Sequence, residues 1–371
     1  MKSHPFSDIP FENIERVGQM SQLYRDLFSV SWILGRFCNY SCSYCWPYAS
    51  SKQKDHQPLD QIIKTIDSIK SQAKERGFNS FHFSFSGGEP TLHPNYLEIL
   101  KYLNDDTSHR NYQSVHMTTN LSAGLGWFKK YTEATKDLHR VSITASYHKE
   151  FAEKVSFAEK LIFLQQQDIQ TTINMVMVPD RFDILMGEAE YFHSLGLNVT
   201  LKPQSNIDAT KIVEGYTKEQ LDFLQNGLPQ MDFTTHRRTE MGRPSTRPKN
   251  PIVIPEYIKT NQKNVKQIMQ VELNDTNGKA WYIDQAERLN AFEFNKFKDW
   301  ICSSGYRSLI IREPGGVIKR SYSCADKPLG SIADGFKLFS EPQVCKTNSC
   351  VSSADSKIPK KKSTSKLPLW P

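Results

Sequence analysis

No stretch of this 371-residue chain approaches the about 20 consecutive apolar residues that a membrane-crossing helix needs. Residues 1–10 also lack the apolar core of a secretory signal. These absences lead us to expect a cytoplasmic protein with no membrane partner, in a compartment where thiols stay reduced. Cysteine is scarce: there are seven, an odd number, which argues against a disulfide framework. Residues 1–28 are too few for a separate winged-helix module and read as a lead-in to the first strand. Residues 352–371 are rich in Lys, Ser and Pro and have little apolar content before Leu367, which predicts a disordered tail.

What is present describes a globular α/β chain. Hydrophobic residues make up 38% and charged residues 23%, enough for a core domain with a smaller one appended. The net charge of +7 permits an anionic partner such as a nucleotide or nucleic acid, but solubility and the basic tail account for it more simply. Residues 30–37 read as the first strand, followed by a loop over 38–51. Leu59, Ile62, Ile63, Ile66 and Ile69 recur at helical spacing within 58–76, with Pro58 suited to the first turn and Gly77 to the stop. Phe81, Phe83 and Phe85 alternate with polar residues, a strand period. The pattern then repeats: helix 95–103, strand 114–119, helix 125–135, strand 140–146, helix 156–167, strand 171–178, helix 181–195, strand 198–203, helix 216–225. Six strand–helix units predict a parallel sheet with helices outside, and six rather than eight predict an open, partial (β/α)6 TIM-like barrel. In such barrels the chemistry sits at the C-terminal strand ends. That rule nominates Thr118, Asn120, Thr144, Ser146, His148, Asn174, Lys202 and Gln204, each with an ordinary strand-end hydrogen bond as the plain alternative. His148 is the candidate to orient substrate or relay a proton, and an ordinary loop histidine is the other reading. Of Met175, Val176 and Met177, at least two are expected in the core.

Two motifs carry the chemistry. Cys38, Cys42 and Cys45 stand at C-x3-C-x2-C spacing after the first strand. Thiolates are soft ligands suited to iron–sulfur clusters, and a cubane cluster normally takes four. Three local cysteines leave one iron open; a zinc knuckle or buried thiols are the alternatives. Ser86-Gly87-Gly88-Glu89-Pro90 follows the Phe81–Phe83–Phe85 strand. Together these motifs resemble the radical S-adenosylmethionine (SAM) superfamily, with Tyr44 in the aromatic slot of C-x3-C-x-aromatic-C. The resemblance covers about residues 30–225. It implies that Cys38, Cys42 and Cys45 hold three irons of a [4Fe-4S] cluster, and that SAM chelates the fourth through its amino and carboxylate groups. The G-G-E-P turn holds the amino group. Ser146 is placed for the ribose and Lys202 for the carboxylate, with Thr144, Asn120 and Asn174 as further contacts. One electron, from a donor such as flavodoxin or ferredoxin, then cleaves SAM to a 5′-deoxyadenosyl radical that takes hydrogen from substrate.

Four cysteines remain: Cys302, Cys324, Cys345 and Cys350. The first two flank a hairpin over 309–318 with the Gly-rich turn Glu313-Pro314-Gly315-Gly316, which would bring them together. A second hairpin is expected over 270–283. The layout resembles the auxiliary-cluster extension that follows many radical SAM barrels, in its short twitch form, and implies a second [4Fe-4S] cluster. Its gaps depart from the usual pattern, and a zinc site fits the ligand types alone. The expected organisation is then a lead-in over 1–28, a barrel over 29–226, a linker or insert over 227–299, a twitch-like domain over 300–351 and the tail. A small molecule such as a sugar, nucleotide or natural-product intermediate is the first expectation for substrate. A peptide or protein is the second. The molybdopterin-precursor cyclase shares the barrel, but its Gly-Gly tail is absent here. A non-enzymatic scaffold that binds nucleic acid through Arg237, Arg238, Arg243, Arg247 and Lys249 is the distant third.

Overall fold

A computed structural model describes residues 8–19, 27–45, 52, 54–106, 113–206, 211–226, 271–283, 289 and 294–369. The chain divides into two compact units. One comprises Trp32–Ile63 and Phe83–Ile254; the other comprises Met1–Ser31, Lys64–His82 and Pro255–Pro371. The elements begin with strands β1 (Ile14–Gly18) and β2 (Leu27–Ile33), helix α1 (Leu59–Lys74) and strand β3 (Ser80–Ser86). Helix and strand then alternate through α2 (Tyr96–Asp105), β4 (Gln113–Thr119), α3 (Leu125–Ala134), β5 (Arg140–Tyr147) and α4 (Lys154–Gln166). The series closes with β6 (Gln170–Met177), α5 (Phe182–Ser194), β7 (Val199–Pro203) and α6 (Lys218–Asn226).

The alternating series from the later residues of β3 onward builds the first unit, which also takes the last residues of β2 and the first five of α1. The strands run in the order β2-β3-β4-β5-β6-β7, and the order ends at β7, so the barrel stays open. Strands β4 to β7 pair in parallel, with Val115 opposite Val141, Ile143 opposite Thr171 and Ile173 opposite Val199. Side chains alternate strictly between the two faces. Phe83, Phe85, Val115, Met117, Ile143, Ala145, Ile173 and Met175 are all buried. They share a face with aromatic contacts to the helices: Phe85 meets Tyr96 of α2, and Tyr147 meets Phe157 of α4 and Phe192 of α5. Strand β2 stops at Ile33, four residues before the expected end, because the next residues bond to the turn after β3 instead. Helix α1 ends as the sequence indicates: Gly77 has φ +85°, and Phe78 N–H donates to the Ala73 carbonyl at 3.0 Å.

The second unit adds β8 (Val271–Asp275), β9 (Ala280–Ile283), β10 (Trp300–Cys302), β11 (Ser308–Arg312) and β12 (Val317–Lys319). It ends with β13 (Gly330–Ser331), β14 (Gly335–Phe336), β15 (Gln343–Val344), the short helix α7 (Ser353–Ser356) and β16 (Lys360–Lys362). Both expected hairpins form, with Val271 opposite Ile283 and Ile311 opposite Ile318. A six-stranded sheet runs β15-β10-β16-β1-β8-β9 over a core of Ile14, Val17, Val271, Leu273, Ile283 and Phe297.

Two expectations give way here. The lead-in is not a mere approach to the barrel: β1 pairs with β8 and β16 in the second unit's sheet. The tail expected to be disordered is ordered over 352–369. Strand β16 lies between β1 and β10, pairing with both. Its stability comes from two flanking backbone ladders rather than from apolar side chains, so composition alone misjudged it. No described helix is long and apolar enough to cross a membrane. Trp46 and Pro47, which directly follow Cys45 in sequence, and the basic stretch from Arg237 to Lys249 lie outside the described residues.

Candidate functional site

The Cys38 loop and the G-G-E-P turn, some fifty positions apart in sequence, are joined by backbone hydrogen bonds. Leu34 N–H donates to Ser86 O at 2.9 Å, Gly88 N–H to Gly35 O at 2.9 Å and Glu89 N–H to Phe37 O at 2.8 Å. So close an approach requires glycine. A Cβ on Gly88 would stand 2.2 Å from the Phe37 carbonyl oxygen and 2.4 Å from that of Arg36. One on Gly87, which has φ +150°, would stand 2.3 Å from the Gly35 oxygen.

Glu89 reaches the end of β4. Its Oε1 accepts from Thr91 N–H at 3.0 Å and Thr119 Oγ1–H at 2.7 Å, and its Oε2 accepts from Asn120 N–H at 2.6 Å. Burial raises its pKa, against the lowering effect of these donors. The Glu89 carboxylate thus fastens β3 to β4, and the turn presents backbone to any ligand. Asn120 completes the junction. Its Nδ2 donates to Asn39 Oδ1 at 3.0 Å and to the Cys38 thiol sulfur at 3.8 Å.

Cys38 is buried, Cys42 half-buried and Cys45 exposed, with Cys45 N–H bonded to Cys42 O at 3.0 Å. Burial, then the neighbouring thiols and Glu150, push the Cys42 thiol up to about 12; Cys38 is also raised, chiefly by burial. Thiolates gathered here therefore call for a cationic partner. Among the described residues no three His, Cys, Asp or Glu side chains converge on a single metal ion. A cubane does not need that, since each thiolate takes its own iron. The donor set fits such a cluster.

The end of β5 grips the same loop. Tyr44 Oη is 2.8 Å from His148 Nδ1, and the rings stack with centroids 5.7 Å apart. Tyr40 stacks on Phe151 at 4.8 Å and meets His148 edge-on at 6.0 Å. Burial lowers the His148 pKa to about 4, so the ring is neutral at pH 7 and shares one hydrogen bond between Nδ1 and the Tyr44 hydroxyl. Glu150 accepts from Ser43 N–H at 2.8 Å and from the Ser43 hydroxyl, and pairs with Arg181 at 3.4 Å. Desolvation pushes the Glu150 carboxyl up, but the Ser43 bonds and Arg181 outweigh it and the net shift is downward. Ser43, Glu150 and Arg181 were not among the residues that sequence singled out. The one available signal was Glu150 lying two residues beyond His148.

The remaining nominees lie on the sheet face opposite the helices. Thr118, Thr144, Ser146, Asn174, Val176 and Lys202 are half-buried, alternating with the fully buried set. Register puts Thr118 beside Thr144, Ser146 beside Asn174, and Val176 beside Lys202. Met175 and Met177 fall on the helix-covered face, 1% and 0% exposed, as core residues.

In the second unit, Cys302, Cys324, Cys345 and Cys350 line one cavity with Ser321, Asp355 and Lys360. Cys302 ends β10, and Cys345 is held by its N–H to Trp300 O at 2.7 Å. Cys350 N–H bonds to Asn295 O at 2.8 Å. Ser321 Oγ–H donates to the Cys324 sulfur at 3.0 Å. Burial raises the thiols of Cys324 and Cys345, and that of Cys350 to about 12. Four sulfur donors around one cavity fit a fully ligated cluster.

Residues 32–183, less than half of the chain, match the family model described as "Radical SAM superfamily". No curated protein matches the chain in sequence. Among solved structures, "Native anSMEcpe with bound AdoMet and Cp18Cys peptide" is 13% identical over 84% of this chain and 78% of that one, with a TM-score of 0.48. A histidine-tagged form of anSMEcpe with bound AdoMet is 17% identical over 47% of this chain, with a TM-score of 0.36. The chain spans 49% of the length of that second structure.

Proposed function

We propose that the chain is a radical SAM enzyme that abstracts hydrogen from a small-molecule substrate, with a second, auxiliary cluster in its other unit. The observation that carries this reading is the junction of the two motifs: Cys38 sits beside Asn120, and the Gly87-Gly88 backbone lies against the Cys38 loop. When bound, the cluster and SAM supply reductive cleavage of a sulfonium and a radical able to take hydrogen. Cys38, Cys42 and Cys45 hold three irons. The Gly87-Gly88 backbone takes the SAM amino group, since the Glu89 side chain is committed to β4. Thr144, Ser146, Asn174 and Lys202 supply the polar face for ribose and carboxylate. His148 acts as a positioning residue that fixes Tyr44 between two cysteines. Cys302, Cys324, Cys345 and Cys350 would hold the second cluster, and four thiolate ligands would suit it to electron transfer or a structural role.

A peptide substrate is the second reading. It is favoured by the four-cysteine cavity, because many relatives with auxiliary clusters modify peptides. Anaerobic reconstitution tests the class. The reduced wild type is expected to convert SAM to 5′-deoxyadenosine, and a Cys38/Cys42/Cys45 triple alanine variant is not. Wild-type protein that holds zinc and leaves SAM intact would overturn the reading. Label transfer into 5′-deoxyadenosine from deuterated small-molecule or peptide fractions separates the two substrate classes.

A further inference from the structure

Two buried cations belong to this region: Lys360 lines the four-cysteine cavity, and Arg320 directly precedes Ser321, which lines it, and accepts at its carbonyl from the hydroxyl of Ser304, another lining residue. Lys360 is 1% exposed and lines the cavity itself. Its ammonium is held by three backbone carbonyls, those of Asp355 at 2.8 Å, Ser356 at 3.3 Å and Ile358 at 2.8 Å. Arg320 is 3% exposed, follows β12, and acts electrostatically on Cys302 and Cys324. Its Nη1 pairs with Asp326 at 3.0 Å, while its Nε and Nη2 are buried with no hydrogen-bond partner. Leaving two guanidinium donors unpaired in a protein interior is costly unless an acceptor belongs beside them. A single carboxylate, Asp355, lines the cavity, and it is occupied by the N–H groups of Tyr322 at 3.3 Å and Ser323 at 3.0 Å.

Four thiolates outweigh the positive charge of the iron–sulfide core they would hold, so a cluster here would bring net negative charge into the pocket. Buried charge without compensation is not tolerated. We propose that Arg320 and Lys360 are positioning residues for the auxiliary cluster. They balance its thiolate charge, Arg320 donates hydrogen bonds toward its sulfur, and together they raise its reduction potential. This rests on the reading of the four cysteines as cluster ligands. A nearby positive charge favours the more negative, reduced form, as net charge and hydrogen bonds to sulfur do in iron–sulfur proteins generally. Lys360 owes its place to β16, so the last segment of the chain is a wall of the site.

The test is a redox titration followed by electron paramagnetic resonance on the anaerobically reconstituted full chain. Wild type, Arg320→Gln, Arg320→Lys and Lys360→Met are compared, each with its iron count. Arg320→Gln and Lys360→Met are expected to keep about eight irons. Each should lower the reduced-to-oxidised ratio of the auxiliary cluster at least tenfold at fixed potential, about 59 mV for one electron. The other cluster should not shift, and Arg320→Lys should recover most of the loss. If Arg320→Gln fails to hold the second cluster but Arg320→Lys holds it, the charge requirement stands. An unshifted potential at full iron content would overturn the proposal, as would loss of folding in both Arg320 variants. Wild type with only four irons would instead defeat the cysteine reading itself.

Discussion

Gly88 has no room for even a methyl group, because the atoms in the way are the Phe37 and Arg36 carbonyl oxygens, which are backbone and cannot swing aside. Gly88→Ala is expected to destabilise the protein by about 1–3 kcal/mol and to push the Cys38 loop off the turn. Iron counting after reconstitution should show loss of the cluster held by that loop. Glu89→Gln addresses the neighbouring contact. The amide group would present N–H to one of three donors that now meet carboxylate oxygens, at a cost of about 1–3 kcal/mol in urea unfolding. The sequence displayed the glycines and the glutamate at their spacing, but not the partners of Glu89. Those donors come from Thr119 and Asn120, and only the strand register delivers them. His93 was not legible at all. It is 4% exposed, packs against His56 with centroids 4.6 Å apart, and has its pKa lowered to about 4 by burial and then by the His56 charge. Its unfolded value is near 6.5, so the unfolded chain binds the extra proton as pH falls. Its contribution to stability is complete above about pH 6.5 and is lost progressively toward pH 4, about 3 kcal/mol in all. His93→Asn keeps an acceptor for Asn95 N–H. It should flatten that part of the wild-type stability curve, measured by urea unfolding at pH 4 to 7.

At the scale of elements, periodicity foretold the barrel strands well, because they alternate buried and half-buried residues. Phe83 and Phe85, like Ile173 and Met175, sit at strand spacing, and the structure buries them all. The second unit was legible only in its hairpins. Its sheet is assembled from β1 and β16, more than three hundred positions apart, and no local pattern announces that pairing. Composition misled at β16 because three lysines read as solvated. Lys360 keeps its charge and has carbonyl oxygens in place of water, and Lys361 reaches the carbonyls of Ser365 at 3.2 Å and Leu367 at 2.8 Å. Lys361 stands opposite Arg16 on one side and Ile301 on the other. Lys361→Pro would remove a ladder donor from the middle of this sheet. Amide exchange should accelerate in β1 and β10 while β4 to β6 stay protected, and the auxiliary irons should be lost. Equal acceleration in both regions would show that β16 does not act locally.

Considered whole, the molecule keeps its two sulfur sites in different units: Cys38, Cys42 and Cys45 in one, and Cys302, Cys324, Cys345 and Cys350 in the other. The two sets of thiols are held by different elements. The N-terminal set depends on the turn after β3 and on Asn120; the C-terminal set depends on β10, the hairpin after it and β16. Loss of one cluster should therefore leave the other in place. Alanine at Cys38, Cys42 and Cys45 should reduce about eight irons to about four and abolish SAM cleavage, while the remaining cluster keeps its wild-type redox midpoint. Alanine at Cys302, Cys324, Cys345 and Cys350 should also leave about four irons, but with SAM cleavage retained. Product formation on substrate would then decide what the second cluster does. Turnover that stops while SAM cleavage continues assigns it to the substrate's electron, and turnover that persists assigns it to structure. If either set of substitutions strips all the iron, the two sites are not independently built, and the division of the chain does not govern its chemistry.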